Sequence, residues 1–204
     1  MNRQNTRRLA VLGVNGALAV ALAACGGAEP ATDAGVTSPT PTAAPSSQAA
    51  FNDADVTFAT GMIPHHQQAV EMADMALKRA QSPQVKELAT KIKSAQDPEI
   101  AVMSDWLRAW GKPVPTTAPG QGHSAHAGPG MMTDADMAKL GKASGDAFDT
   151  MFLTMMIEHH EGAIVMARAE QNDGANADAK ALAVKIQGDQ AAEIATMRTM
   201  LTAQ

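Results

Sequence analysis

The segment Met62-Ile63-Pro64-His65-His66 returns 94 positions later as Met156-Ile157-Glu158-His159-His160. The register holds well beyond the histidines. Phe58, Ala69, Met72 and Ala73 recur without a gap as Phe152, Ala163, Met166 and Ala167. Further on, Leu88, Lys91, Ile92, Gln96, Glu99, Ile100, Met103 and Leu107 recur as Leu182, Lys185, Ile186, Gln190, Glu193, Ile194, Met197 and Leu201. An offset that survives a turn marks a duplicated supersecondary unit, here helix, turn and helix. Two copies make four helices. Two hairpins joined by one long connection predict an all-α four-helix bundle of ferritin-like type.

The first helix is expected to start at Asn52 or Asp53 and to end before Ser82-Pro83. Pro64 lies in its middle, lacks a backbone N–H and is expected to kink it just before the histidines. The second helix carries Val85, Leu88, Ile92, Glu99, Met103 and Leu107 at helical spacing and stops at Gly111-Lys112-Pro113. Trp106 and Trp110 share a face and are expected to plug one end of the bundle. Residues 111–132 form the crossover, followed by a short helix capped by Thr133 with Asp136. The third long helix spans roughly 146–171, and Asn172-Asp173-Gly174 turns the chain into a fourth that starts near Asn176.

The N-terminus has a different character. Residues 1–25 combine Arg3, Arg7 and Arg8 with an apolar run and close on Leu22-Ala23-Ala24-Cys25, the pattern of a secretion signal. The small residues before Cys25 resemble a bacterial lipobox, whose cysteine is acylated after cleavage. Residues 26–50 are rich in Ala, Gly, Pro, Ser and Thr and read as a disordered tether. The folded domain is expected over residues 51–204. Removing residues 1–24 takes three of the 16 basic residues and none of the 21 acidic ones, leaving a formal charge of −8. Such a chain is not built for nucleic acid or an anionic membrane surface. Its membrane attachment is expected through the lipid alone, which places it outside the cytoplasm, in the cell envelope or periplasm. Cys25 is the sole cysteine, so an intrachain disulfide is excluded.

At about 100° per residue, Phe58, Met62, His65, Ala69, Met72 and Ala76 form one stripe, repeated as Phe152, Met156, His159, Ala163, Met166 and Glu170. Met62 and Met156 therefore each lie one turn before a pair of histidines, so Met62 can converge with His65 and His66, and Met155 or Met156 with His159 and His160. From Cys25 onward there are 13 Met against seven Leu, although Leu is the usual filler of helical cores. Thioether and imidazole together select Cu(I), and imidazole also takes Cu(II). An unperturbed imidazole titrates near pH ~6.5, so protons and metal are expected to compete there. His123, His126, Met131 and Met132 have the same chemistry and are expected to form at most an auxiliary site in a flexible crossover.

The run from Met62 to Ala73, with its partner from Met155 to Ala167, resembles the domain of unknown function 305 family. The resemblance spans about residues 51–203. It implies a secreted or lipid-anchored bacterial protein of ferritin-like helical fold that handles copper. It further implies that Met62, His65, His66, Met72, Met155, Met156, His159, His160 and Met166 serve as ligands. It identifies no catalytic activity, and a partner that receives copper is left unnamed.

Two other readings fit a helical bundle. One is a di-metal oxidoreductase, which needs Glu-x-x-His on two of its helices. No Glu-x-x-His occurs, although Glu99 and Glu193 at matching positions leave room for a mixed site. The other is a tethered interaction module with a methionine-rich surface and no metal. The expectation is a non-enzymatic copper binder.

Overall fold

The computed structural model describes residues 50–116 and 128–203. The proposed signal, Cys25 and residues 26–49 of the tether lie outside those residues, as do His123 and His126. The described chain is all-α: α1 (Asp53–Arg79), α2 (Pro83–Ala109), the short α3 (Asp134–Lys142), α4 (Gly145–Asp173) and α5 (Ala177–Thr202). α1 packs on α2, α4 on α5, and the two hairpins join through α1 against α4. This is the duplicated four-helix bundle. No described helix is long and apolar enough to cross a membrane.

Local chemistry sets the helix ends. Asn52 caps α1 by accepting from the amides of Ala54 and Asp55, while the Asp55 carboxylate accepts from the Asn52 amide. Ser82 caps α2, whose first residue is Pro83, where a missing N–H costs nothing. Thr133 and Asp136 form the expected capping box on α3, and Asn176 caps α5. α1 runs without interruption through Pro64, and α2 through Pro98, so neither proline ends its helix.

Asp55 and Asp149 occupy equivalent positions in the two copies and hold the hairpins together. Asp149, near the start of α4, accepts from the amides of Gln81 and Ser82 at 3.1 and 2.7 Å, in the turn after α1. Asp55, near the start of α1, accepts from Ala175 and Asn176 at 3.2 and 2.9 Å, in the turn after α4. Each copy thus clamps the turn of the other, which requires α1 and α4 to run antiparallel.

The core is split in two along the bundle. A smaller cluster gathers Phe58, Met62, Ile63, Met103, Leu107, Ala163, Ala167 and Ile186. A larger one gathers Ala69, Met72, Leu88, Ile92, Phe148, Phe152, Met156 and Met197. Between them, α1 contributes His65 and His66 and α4 contributes His159 and His160. Trp106 and Trp110 pack against the smaller cluster, stacked 6.0 Å apart. Phe51, just before α1, stacks on Trp110 at 4.8 Å and completes that end.

Candidate metal centre

Because α1 and α4 are antiparallel and related by the duplication, the histidine pairs are the part of each motif that meets its own copy. The His65 and His159 rings lie 3.8 Å apart between centroids. All four histidines are buried, none more than 1% exposed. The next helix of each hairpin supplies a carboxylate 33 residues on. His66 Nε2 meets Glu99 Oε2 at 2.8 Å, and His160 Nε2 meets Glu193 Oε2 at 2.6 Å. Gln96 and Gln190, one turn before these glutamates, are also buried. The sequence showed Glu99 and Glu193 as matched positions, yet their role as histidine partners escaped it. The constant spacing from His66 to Glu99 and from His160 to Glu193 was the available signal.

The two halves are not equal. Lys185 Nζ donates to Glu99 at 2.9 Å and to Asp189 at 2.8 Å. Its equivalent Lys91 pairs with Glu87 instead. The Glu99 side chain is 9% exposed and that of Glu193 20%. Burial pushes the Glu99 carboxyl up, but His66 and Lys185 outweigh it and hold the group below its usual range. Glu193 also lines a groove between α2 and α5 with Leu88, Lys91 and Thr196.

One end of the crossover straps the layer. His65 Nε2 donates to the Pro129 carbonyl at 3.0 Å. Gly130, at φ +75°, and Gly162 on α4 meet backbone to backbone, and a side chain at Gly162 would collide with the Pro129 carbonyl. The Gln68 amide bonds both the N–H and the C=O of Met132, at 2.7 and 2.9 Å. Met132 is therefore a buried member of the larger cluster and Met131 is half-buried. This corrects the expectation of a flexible segment for Met131 and Met132, since Gln68 supplies both backbone partners.

The methionines flank the histidines. Met62 and Met156 are fully buried but on opposite sides of the layer, Met62 in the smaller cluster and Met156 in the larger. Met72 joins Met156, with half-buried Met155 packed alongside. Met166 packs on the Met62 side, where its methyl closes on Gly61. Antiparallel packing thus brings Met62 with Met166 and Met72 with Met156, a pairing that spacing along one helix does not show.

Burial changes the proton chemistry expected from an isolated imidazole. Desolvation first, then the neighbouring His66, lowers His65 to about 3. Desolvation also lowers His66, and His159 falls well below its ordinary value, with His65 as the second cause. These rings are neutral at neutral pH. For His65, protonation moves from near pH ~6.5 down to about 3.

Among the described residues, the Nδ1 atoms of His65, His66 and His160 and both ring nitrogens of His159 are buried without a hydrogen-bond partner. The His65 carbonyl lies near the His159 ring without reaching hydrogen-bond geometry. An unpartnered buried donor or acceptor costs about 1–3 kcal/mol, so five such ring nitrogens in one layer point to a use. No three His, Cys, Asp or Glu side chains among the described residues converge to hold a metal by themselves. Neutral imidazoles flanked by thioethers fit a soft or borderline ion better than a hard one.

Residues 55–201 match the family described as Domain of unknown function (DUF305). The chain belongs to the DUF305 family. A solved DUF305 protein of Streptomyces coelicolor, described as secreted, is 34% identical with a TM-score of 0.67, over 74% of this chain and 93% of that one. A DUF305 fragment from Deinococcus radiodurans is 29% identical with a TM-score of 0.67, over 75% and 98%. CopM in its Cu(II)-bound form is 34% identical with a TM-score of 0.63, over 73% and 96%. CopM is also known in Cu(I)-bound, silver-bound and apo forms, the Cu(I) form being 33% identical with a TM-score of 0.61. Among curated protein sequences, none matches the chain.

Proposed function

We propose that this DUF305 protein is a non-catalytic, extracytoplasmic copper binder that sequesters copper or passes it on. The observation that carries the reading is the histidine layer: four buried imidazoles from two matched motifs, with five ring nitrogens left unpartnered. The copper- and silver-bound states of CopM, at 33–34% identity, support the choice of metal. Copper is cargo here. His65, His66, His159 and His160 supply ring nitrogen, and Met62, Met72, Met155, Met156 and Met166 supply sulfur on the two sides. The thioether and imidazole donors of this set suit copper, whereas a di-metal carboxylate centre needs Glu-x-x-His on two helices and none occurs in the sequence. A lipid on Cys25 would hold the domain at the membrane through residues 26–50.

Anaerobic Cu(I) titration against a competing chelator tests the reading. The variant with His65, His66, His159 and His160 all replaced by alanine should lose the tightest binding by at least about a hundredfold, equivalent to about 2.7 kcal/mol. Its helical circular dichroism should persist, because the apolar clusters on both sides of the layer remain. An unchanged titration in a helical variant would overturn the reading in favour of a metal-free interaction module.

A further inference from the structure

Three of the four histidines hold Nε2 against an oxygen: His65 against the Pro129 carbonyl, His66 against Glu99 and His160 against Glu193. A carbonyl can only accept, so His65 must carry its proton on Nε2. A carboxylate imposes the same tautomer on a neutral ring. In each of these rings Nδ1 is then the nitrogen with the free lone pair, and in each it is buried and unpartnered among the described residues. Binding a metal through Nε2 would instead break a hydrogen bond of 2.6–3.0 Å in every case and leave an oxygen acceptor without its donor.

The arrangement is built twice from unlike surroundings. Glu99 is held from behind by Lys185, while Glu193 faces the groove and makes no ion pair with a lysine among the described residues. Both nonetheless place one carboxylate oxygen on the Nε2 of the histidine 33 residues earlier. The shared element is the carboxylate–imidazole contact itself, so the contact is what the two halves have in common functionally.

We infer that Glu99 and Glu193 are positioning residues that lock His66 and His160 as Nε2–H tautomers, so that these rings and His65 take copper through Nδ1. The inference rests on the copper reading above. Fixing a ligand ring through its second nitrogen sets ring orientation and raises ligand basicity. The Pro129 carbonyl does for His65 what the carboxylates do for the other two. The strap is thereby part of the site's frame, and His159 is the ring left free to choose its nitrogen.

Nitrogen-15 NMR of the imidazoles in the full-length protein tests this before and after adding Cu(I), which is diamagnetic. Metal-free wild type should show Nε2 protonated and Nδ1 bare in His65, His66 and His160, and Cu(I) should shift their Nδ1 signals. Glu99→Leu and Glu193→Leu should each let the facing ring populate both tautomers and weaken Cu(I) binding about 10–100-fold. Glu99→Gln and Glu193→Gln, whose amide oxygen still accepts, should keep the tautomer and stay within about threefold in affinity, about 0.7 kcal/mol. Because the wild-type spectra alone decide the tautomer, a leucine variant that fails to fold does not blunt the test. Nδ1–H rings in metal-free wild type, or Cu(I) shifts on Nε2, would overturn the inference. Nε2–H rings with no response to Cu(I) would instead overturn the copper reading and leave the tautomer lock standing.

Discussion

Glu170 stands where the first copy has Ala76, at 1% exposure near the end of α4, with Gly174 packed on its carboxyl. Burial, and then the Asp55 carboxylate beside it, raise its carboxyl to about 8. The folded chain therefore keeps a proton that the unfolded chain releases near pH ~4.3. Stability from this group is full below that value and is lost as pH rises toward about 8. The urea midpoint should fall across that window, by no more than about 1.4 kcal/mol per pH unit. Glu170→Gln should remove this slope and be the more stable form at pH ~8. A wild-type midpoint flat from pH ~5 to ~8 would contradict the assignment. His159 offers a second prediction. Its two unpartnered nitrogens burden the metal-free fold, so His159→Leu should raise metal-free stability by up to about 1–3 kcal/mol while weakening Cu(I) binding. A destabilised leucine variant would show that this ring holds the layer together rather than waiting for a ligand.

At the scale of elements, α1, α2, α3 and α5 owe their starts to local side-chain caps, but the hairpins owe their mutual placement to Asp55 and Asp149. Each carboxylate collects amides from a turn more than 60 residues away in sequence. Asp149→Ala frees the amides of Gln81 and Ser82 at a point where the two hairpins meet. The expected cost is about 1–3 kcal/mol in urea unfolding, with helical content retained in the native state. A loss below about 0.3 kcal/mol would mean that water replaces the carboxylate freely. The same logic explains the crossover: its sequence is loop-like, yet Gln68, His65 and Gly162 each give residues 129–132 a partner.

At the scale of the whole molecule, the bundle holds a polar layer between two apolar clusters at a cost in stability. Buried polar groups lower the stability of the metal-free fold, and a bound ion would restore part of it by mass action. Delivery to the right compartment belongs to the same scale. Cys25→Ser should move the mature protein from the membrane fraction to the soluble extracytoplasmic fraction, checked by fractionation and immunoblotting. A protein still retained in the membrane would remove the lipid from the account.

The duplication, the helix boundaries and the Met-x-x-His-His motifs were legible in the sequence, because helical periodicity and capping depend on neighbours within a few residues. The expectation of metal chemistry was legible for the same reason, since His65 and His66 share one turn with Met62. What only the tertiary structure decided is how the copies face each other. Antiparallel packing of α1 on α4 puts His65 on His159, separates Met62 from Met156, and aims Glu99 and Glu193 at the histidines. It also fixes the depth of burial, which moves His65 down to about 3 and Glu170 up to about 8. Those quantities depend on distance and dielectric through space, and residues 33 or 94 apart carry no mark of either until the chain has folded.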